Sequence, residues 1–183
     1  MSIRDEINNR IAEGRLFRLT PLFSSDGKER TVLMSEEINR LVTGPWEEGP
    51  MGNRCSGLRA ELENFVSGAP ISVCWIPFEA NGNHQLGRLD KIEDGVWDYR
   101  STNPPPGLRV FCRFAEKDVL VAFTCSPRSV HVSWLDRLPL LGRQSREWKR
   151  AILECRAEWA KLFPAYQPIS GGSIDDYISN PVV

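Results

Sequence analysis

The sequence predicts an α+β fold: helices in the N-terminal third, an antiparallel sheet in the middle and a packed helix near the C-terminus. Three observations carry this. Two apolar stripes at helical spacing lie within residues 35–66. Between 71 and 125 the apolar period switches from helical to alternating. Trp148, Ala151, Ile152, Cys155, Trp159, Leu162 and Phe163 then fall on one face of a helix.

Ile3, Ile7 and Ile11 recur every four residues before Gly14, which predicts a short N-terminal helix. Thr31–Met34 reads as a strand. Ser35 follows in the N-cap position, with Glu36 and Glu37 in the first turn, where the helix dipole favours anions. Ile38, Leu41 and Val42 form the stripe of that helix, and Gly44-Pro45 stops it. Residues 44–53 hold three Gly and two Pro and read as a loop. A second helix is expected from Ser56 to Phe65, ended by Gly68-Ala69-Pro70.

Residues 71–76 and 96–101 read as strands. The connector 101–107 contains Pro104-Pro105-Pro106, three residues with no N–H to give to a ladder. Leu108–Phe114 and Val119–Cys125 flank Ala115-Glu116-Lys117-Asp118 and predict a hairpin. Alternation puts Leu108, Val110, Cys112 and Phe114 on one face and Arg109, Phe111 and Arg113 on the other; Asp98 and Arg100 share a face of the preceding strand. Ser145 is a candidate cap for the last helix and Pro164 terminates it. The boundaries expected are an N-terminal helical extension over 1–30, an α+β domain over 31–164 and a C-terminal tail over 165–183. Tyr166, Ile169, Ile174, Tyr177 and Ile178 are the tail residues with apolar surface to dock on the domain or on a partner.

Composition excludes whole function classes. Apolar residues make up 41% and charged residues 26%, enough for a core and a solvated surface. With 23 Lys+Arg against 24 Asp+Glu the chain does not coat nucleic acid by net charge. Eighteen of those cations are Arg, the residue suited to bidentate grips on phosphate or carboxylate. The first 18 residues lack the apolar centre of a signal peptide, and no window reads as a membrane span. Five cysteines without a C-x-x-C pair fit reduced core residues, so a cytoplasmic protein is expected. Two histidines, no P-loop, no dinucleotide fingerprint, no H-E-x-x-H and no G-x-S-x-G leave metal and cofactor chemistry without a motif, and no cofactor is expected.

Three features bear on function. Arg100, Arg109 and Arg113, with Phe111 among them, suit a gripped phosphate beside a stacked base; the same face is equally a solvated one with Asp98 as local partner, or cover for a helix. His131, near a strand end with Arg128, is the better proton shuttle of the two histidines, His84 lying in an Asn-Gly-Asn-His loop. Trp148 and Trp159 read as core, whereas Trp46 and Trp134 are open to recognition.

Leu89-Asp90, Gly95-Val96-Trp97-Asp98-Tyr99-Arg100, a short connector and Leu108-Arg109-Val110-Phe111 with its hairpin form one pattern. It resembles the RelE/ParE toxin superfamily, and within it the phage-associated HigB-like branch, over roughly 62–163. The resemblance implies a small curved antiparallel sheet flanked by helices, and phage or mobile-element origin. For many members it implies metal-independent mRNA cleavage, in which the RNA 2'-hydroxyl attacks its own phosphate. The strand arginines of the family correspond to Arg100 and Arg109. Catalysis would then draw on Arg109 with Arg128 or His131, and RNA binding on Arg100, Arg113 and Phe111. It also implies an antitoxin, mRNA or the ribosome, or a second copy of the chain as partners. Where that branch places a phenylalanine and paired lysines, this chain has Thr124-Cys125-Ser126-Pro127-Arg128. The first expectation is therefore a toxin-fold protein that binds a host protein or RNA without catalysis; the second is a HigB-like endoribonuclease.

Overall fold

The computed structural model describes residues 2–22, 29–77, 84–89, 91–127 and 146–182. Among them are four α-helices and an eight-stranded sheet that does not close.

Helix α1 (Ile3–Ala12) starts at a reciprocal cap: Ser2 Oγ accepts from Asp5 N, and the Asp5 carboxylate accepts from Ser2 N. Strand β1 (Phe17–Arg18) pairs antiparallel with β2 (Thr31–Met34). Ser35 caps α2 (Glu36–Thr43) as its position predicts; its hydroxyl accepts from Ile38 N and donates to the Phe123 carbonyl at 2.6 Å. Helix α3 (Pro50–Val66) begins six residues before the expected start. Pro50 sits in the first turn, where its missing N–H costs nothing. Gly57 lies inside the helix because the connector passes directly over it: a Cβ there would stand 2.5 Å from the Asn103 carbonyl oxygen.

The remaining strands are β3 (Ile71–Cys74), β4 (Leu86–Arg88), β5 (Trp97–Ser101), β6 (Leu108–Glu116), β7 (Val119–Pro127) and β8 (Pro181–Val182). Their order is β1-β2-β7-β6-β5-β4-β3-β8. This corrects the small antiparallel sheet that the sequence suggested. The sheet is larger, and it is mixed: β2 runs parallel to β7, and β3 runs parallel to both β4 and β8. The hairpin β6–β7 and its neighbours β5 and β4 are antiparallel, as local signals favour. Two of the parallel pairs, β2–β7 and β3–β8, join strands far apart in the chain, whose direction no local pattern records.

Helices cover both faces. Leu108, Val110, Cys112 and Phe114 pack with α2, α3 and the C-terminal segment, so the expected apolar face is apolar and covered. The opposite face carries Phe111, Val121 and Phe123 and is covered by α1 and α4 (Arg146–Leu162) through Ile7, Ile152, Cys155 and Trp159. The expected helical stripe on α4 is the buried one.

Residues 165–182 pack rather than trail. Tyr177 and Ile178 are buried in the α2–α3 core. Ile169 N donates to the Phe114 carbonyl, and Asp118 N to that of Tyr177. Asp118, at the β6–β7 turn with φ 62°, takes the left-handed conformation that Asp tolerates. Its carboxylate accepts from Ser179 N at 2.8 Å and Ser179 Oγ at 2.6 Å, with Arg30 Nε 3.6 Å away. The hairpin turn therefore anchors the chain's end. No helix among the described residues is long and apolar enough to cross a membrane.

Candidate functional site

The β5–β6 register sets Asp98 opposite Phe111 and Arg100 opposite Arg109, all on the face beneath α4. Asp98 is 0% exposed. Arg100 reaches back along its own strand: Nε donates to Asp98 Oδ2 at 2.8 Å and Nη2 to Oδ1 at 3.1 Å. Arg109 Nη1 donates to the same Oδ2. One carboxylate thus holds two guanidiniums. Burial pulls the Arg100 value down, but the charge and hydrogen bonds of Asp98 outweigh it and leave it raised, so the guanidinium keeps its charge. Arg109 lies 4.7 Å from the Trp148 ring of α4, and Phe111 meets the same ring edge-on at 5.4 Å.

The neighbouring strand makes room for this cluster. Gly87 on β4 pairs with Asp98, and a Cβ there would overlap both Arg100 Nη2 and Asp98 Oδ1. Gly87→Ala is expected to cost about 1–3 kcal/mol by overpacking, read from a urea denaturation midpoint. An unchanged midpoint would show that the ion cluster shifts aside freely.

Arg113, two residues along β6 from Phe111, has different company. Its Nη2 donates to the Asp94 carbonyl oxygen and its face stacks 5.1 Å from Trp159. The Asp94 carboxylate itself is engaged by Arg156 of α4 at 3.1 Å.

Of the residues singled out in the sequence, Arg100 and Arg109 come together, on Asp98. Phe111 lies beside them but is fully buried beneath Trp148. Arg113 sits apart, under the C-terminal half of α4. Arg128, His131 and Trp134 lie outside the described residues. Ser126 pairs with Arg109, so β7 ends beside the Asp98 cluster. His84 is half-buried just before β4, and the Trp46 indole N–H donates to the Leu41 carbonyl. Arg109 and Arg113 lie against the last helix, and the three guanidiniums do not gather around one open hollow. The roles of Gly87 and of Trp148 as a lid over Arg109 were not read from the sequence. Neither was Arg88, whose guanidinium is enclosed by Trp75, Trp97 and Tyr177.

Cys125 and Cys155 offer no nucleophile near neutral pH. Burial pushes Cys125 and Cys155 up to about 12, and a thiolate is the reactive form. Among the described residues no cluster of three or more His, Cys, Asp or Glu is placed to hold a metal ion. A groove of about 630 Å³ runs between α2, β7 and α4; Glu36, Glu37, Glu154 and Glu158 line it against Arg15 and Arg40. No family model, curated protein or solved structure matches this chain.

Proposed function

We propose that this chain is a binding protein without catalysis, of phage or mobile-element origin, whose partner is a host protein. The observation that carries the reading is the enclosure of Arg100 and Arg109 by Asp98 beneath α4. Charge already committed to a buried carboxylate gives little to a transferring phosphate, which needs preorganised donors aimed at the developing negative charge. The excess of carboxylates in the groove between α2, β7 and α4 points the same way, since it repels a nucleic-acid backbone and suits a basic peptide segment. The origin rests on the resemblance of residues 62–163 to the HigB-like branch.

Metal-independent mRNA cleavage is the competing reading. One observation favours it: Arg109 pairs with Ser126, from which the sequence runs on to Arg128 and His131. Induced expression in bacteria separates the two. The expected result is intact mRNA with the wild-type chain, and a cross-linked protein partner that survives nuclease treatment and is lost in the surface variant Glu36→Lys/Glu154→Lys. Cleaved mRNA with the wild type, abolished by Arg109→Ala or His131→Ala, would overturn the reading in favour of the nuclease.

A further inference from the structure

The buried arginines of this chain are mostly given a carboxylate: Arg100 has Asp98, Arg59 has Glu63 at 2.6 Å, and Arg30 has Asp118. Arg88 instead has three aromatic rings and the Tyr177 hydroxyl. Arg113 is 6% exposed and has neither arrangement. It keeps one carbonyl acceptor and one ring, its buried Nε has no acceptor, and no described carboxylate lies within ion-pair distance of it. A guanidinium cannot shed its proton to escape this, so its burial calls for an anion. Burial lowers the Arg113 value and the nearby Arg156 lowers it further, while one Asp94 carboxylate serves the two.

The exposed side of Arg113 opens on a groove of about 410 Å³, with Arg156 at its rim. Leu153, Phe163, Pro164 and Tyr166 give it apolar wall, and Gln167 adds a polar side chain. Leu153 is 60% exposed. Two guanidiniums against one carboxylate leave a single positive charge. A monoanion balances it, whereas a phosphate monoester would bring an unmatched second charge. A planar carboxylate also matches the guanidinium fork, and the volume is that of a small-molecule site.

We infer that this groove binds a small monocarboxylate with an aromatic or branched apolar body, the carboxylate held by Arg113 and Arg156 and the body laid along Leu153, Phe163 and Tyr166. The site is independent of the protein-binding reading above.

Isothermal titration of the full chain with 4-phenylbutyrate, and with its uncharged primary amide, tests this. The acid is expected to bind saturably at one site and the amide at least roughly tenfold more weakly, the loss of one charge-assisted contact. Arg156→Gln changes an exposed side chain, so the fold is kept, and is expected to weaken the acid by about tenfold. Ala160→Trp, on the exposed groove wall, is expected to abolish binding. Arg113→Met, checked for folding by circular dichroism, is expected to bind acid and amide alike. No saturable binding, equal affinity for acid and amide, or full affinity in Arg156→Gln and Ala160→Trp would each overturn the inference.

Discussion

Asp98→Ala is expected to lower the unfolding free energy by about 3–5 kcal/mol, because it strands two guanidiniums that the fold has taken out of water. Asp98 is inaccessible, and Arg100 and Arg109 reach it from neighbouring strands beneath α4. The attraction in the intact cluster largely repays the desolvation of its members, so its net contribution is small. Removing the anion leaves the whole desolvation cost in place. The two effects separate in one experiment. Asp98→Leu/Arg100→Leu/Arg109→Met removes every charge and fills the space with apolar volume, and it is expected to recover most of the loss. Urea denaturation followed by tryptophan fluorescence reads both. Added salt is expected to change the wild-type value little, because a buried pair is poorly screened. A loss below about 1 kcal/mol for Asp98→Ala, the range of an exposed pair, would mean that the arginines swing out past Trp148 into water. The face would then be available to a phosphate, and the case for an internally neutralised site would fall.

The nearness of Asp98 and Arg100 was legible in the sequence from period-two alternation, whereas the arrival of Arg109 beside them depends on the β5–β6 register. Asp98 and Arg100 share a parity on β5, and Arg109 shares a face with Phe111 on β6. What alternation does not tell is which helix lies over that face. Phe111, flanked by two arginines, reads equally as a stacking platform for a base or as core. The Trp148 ring against it decides for core. The stripes of α1, α2 and α4 and the Ser35 cap of α2 were legible for a local reason, since each lies within a few residues, whereas the cap candidate Ser145 lies outside the described residues. Strand β4 was not, because Gly87 lowers strand propensity and is needed there only to clear Arg100 and Asp98, which lie elsewhere in the chain. The first turns of α3 were hidden likewise, since Pro50 and Gly52 look like a loop, and Gly52 is needed there because a Cβ would overlap the Glu47 carbonyl oxygen. The parallel pairing of β2 with β7 joins segments some ninety residues apart.

The chain's end shows the same limit and supports the second large effect. Its Gly, Ser, Asp and Pro content speaks for weak local structure, and that holds: among residues 165–182 there is only one short 3-10 turn and the two-residue β8. Ordering such a segment costs about 1–2 kcal/mol per residue in backbone entropy, and its sparse hydrogen bonds contribute too little to offset that. The compensation has to come from burial. Tyr177 supplies much of it, with its ring 4.9 Å from Trp97, 5.5 Å from Phe114 and 5.9 Å from Trp75, and its hydroxyl accepting from Gly171 N at 2.7 Å. Tyr177→Ala is expected to cost about 3–5 kcal/mol, the range for emptying a buried aromatic site. Tyr177→Phe, which keeps the ring and loses the hydroxyl, is expected to cost about 1 kcal/mol. Hydrogen exchange locates the effect: in Tyr177→Ala the amides of β3, which pairs with β8, should lose protection before those of β6 and β7. If Tyr177→Ala costs no more than Tyr177→Phe, the segment is held instead by Ser179 on Asp118, and Asp118→Ala becomes the variant that releases it. Either route reaches Arg88, whose enclosure includes the Tyr177 ring: releasing the end of the chain through Asp118 or emptying position 177 would both leave that guanidinium with the Trp75 and Trp97 rings.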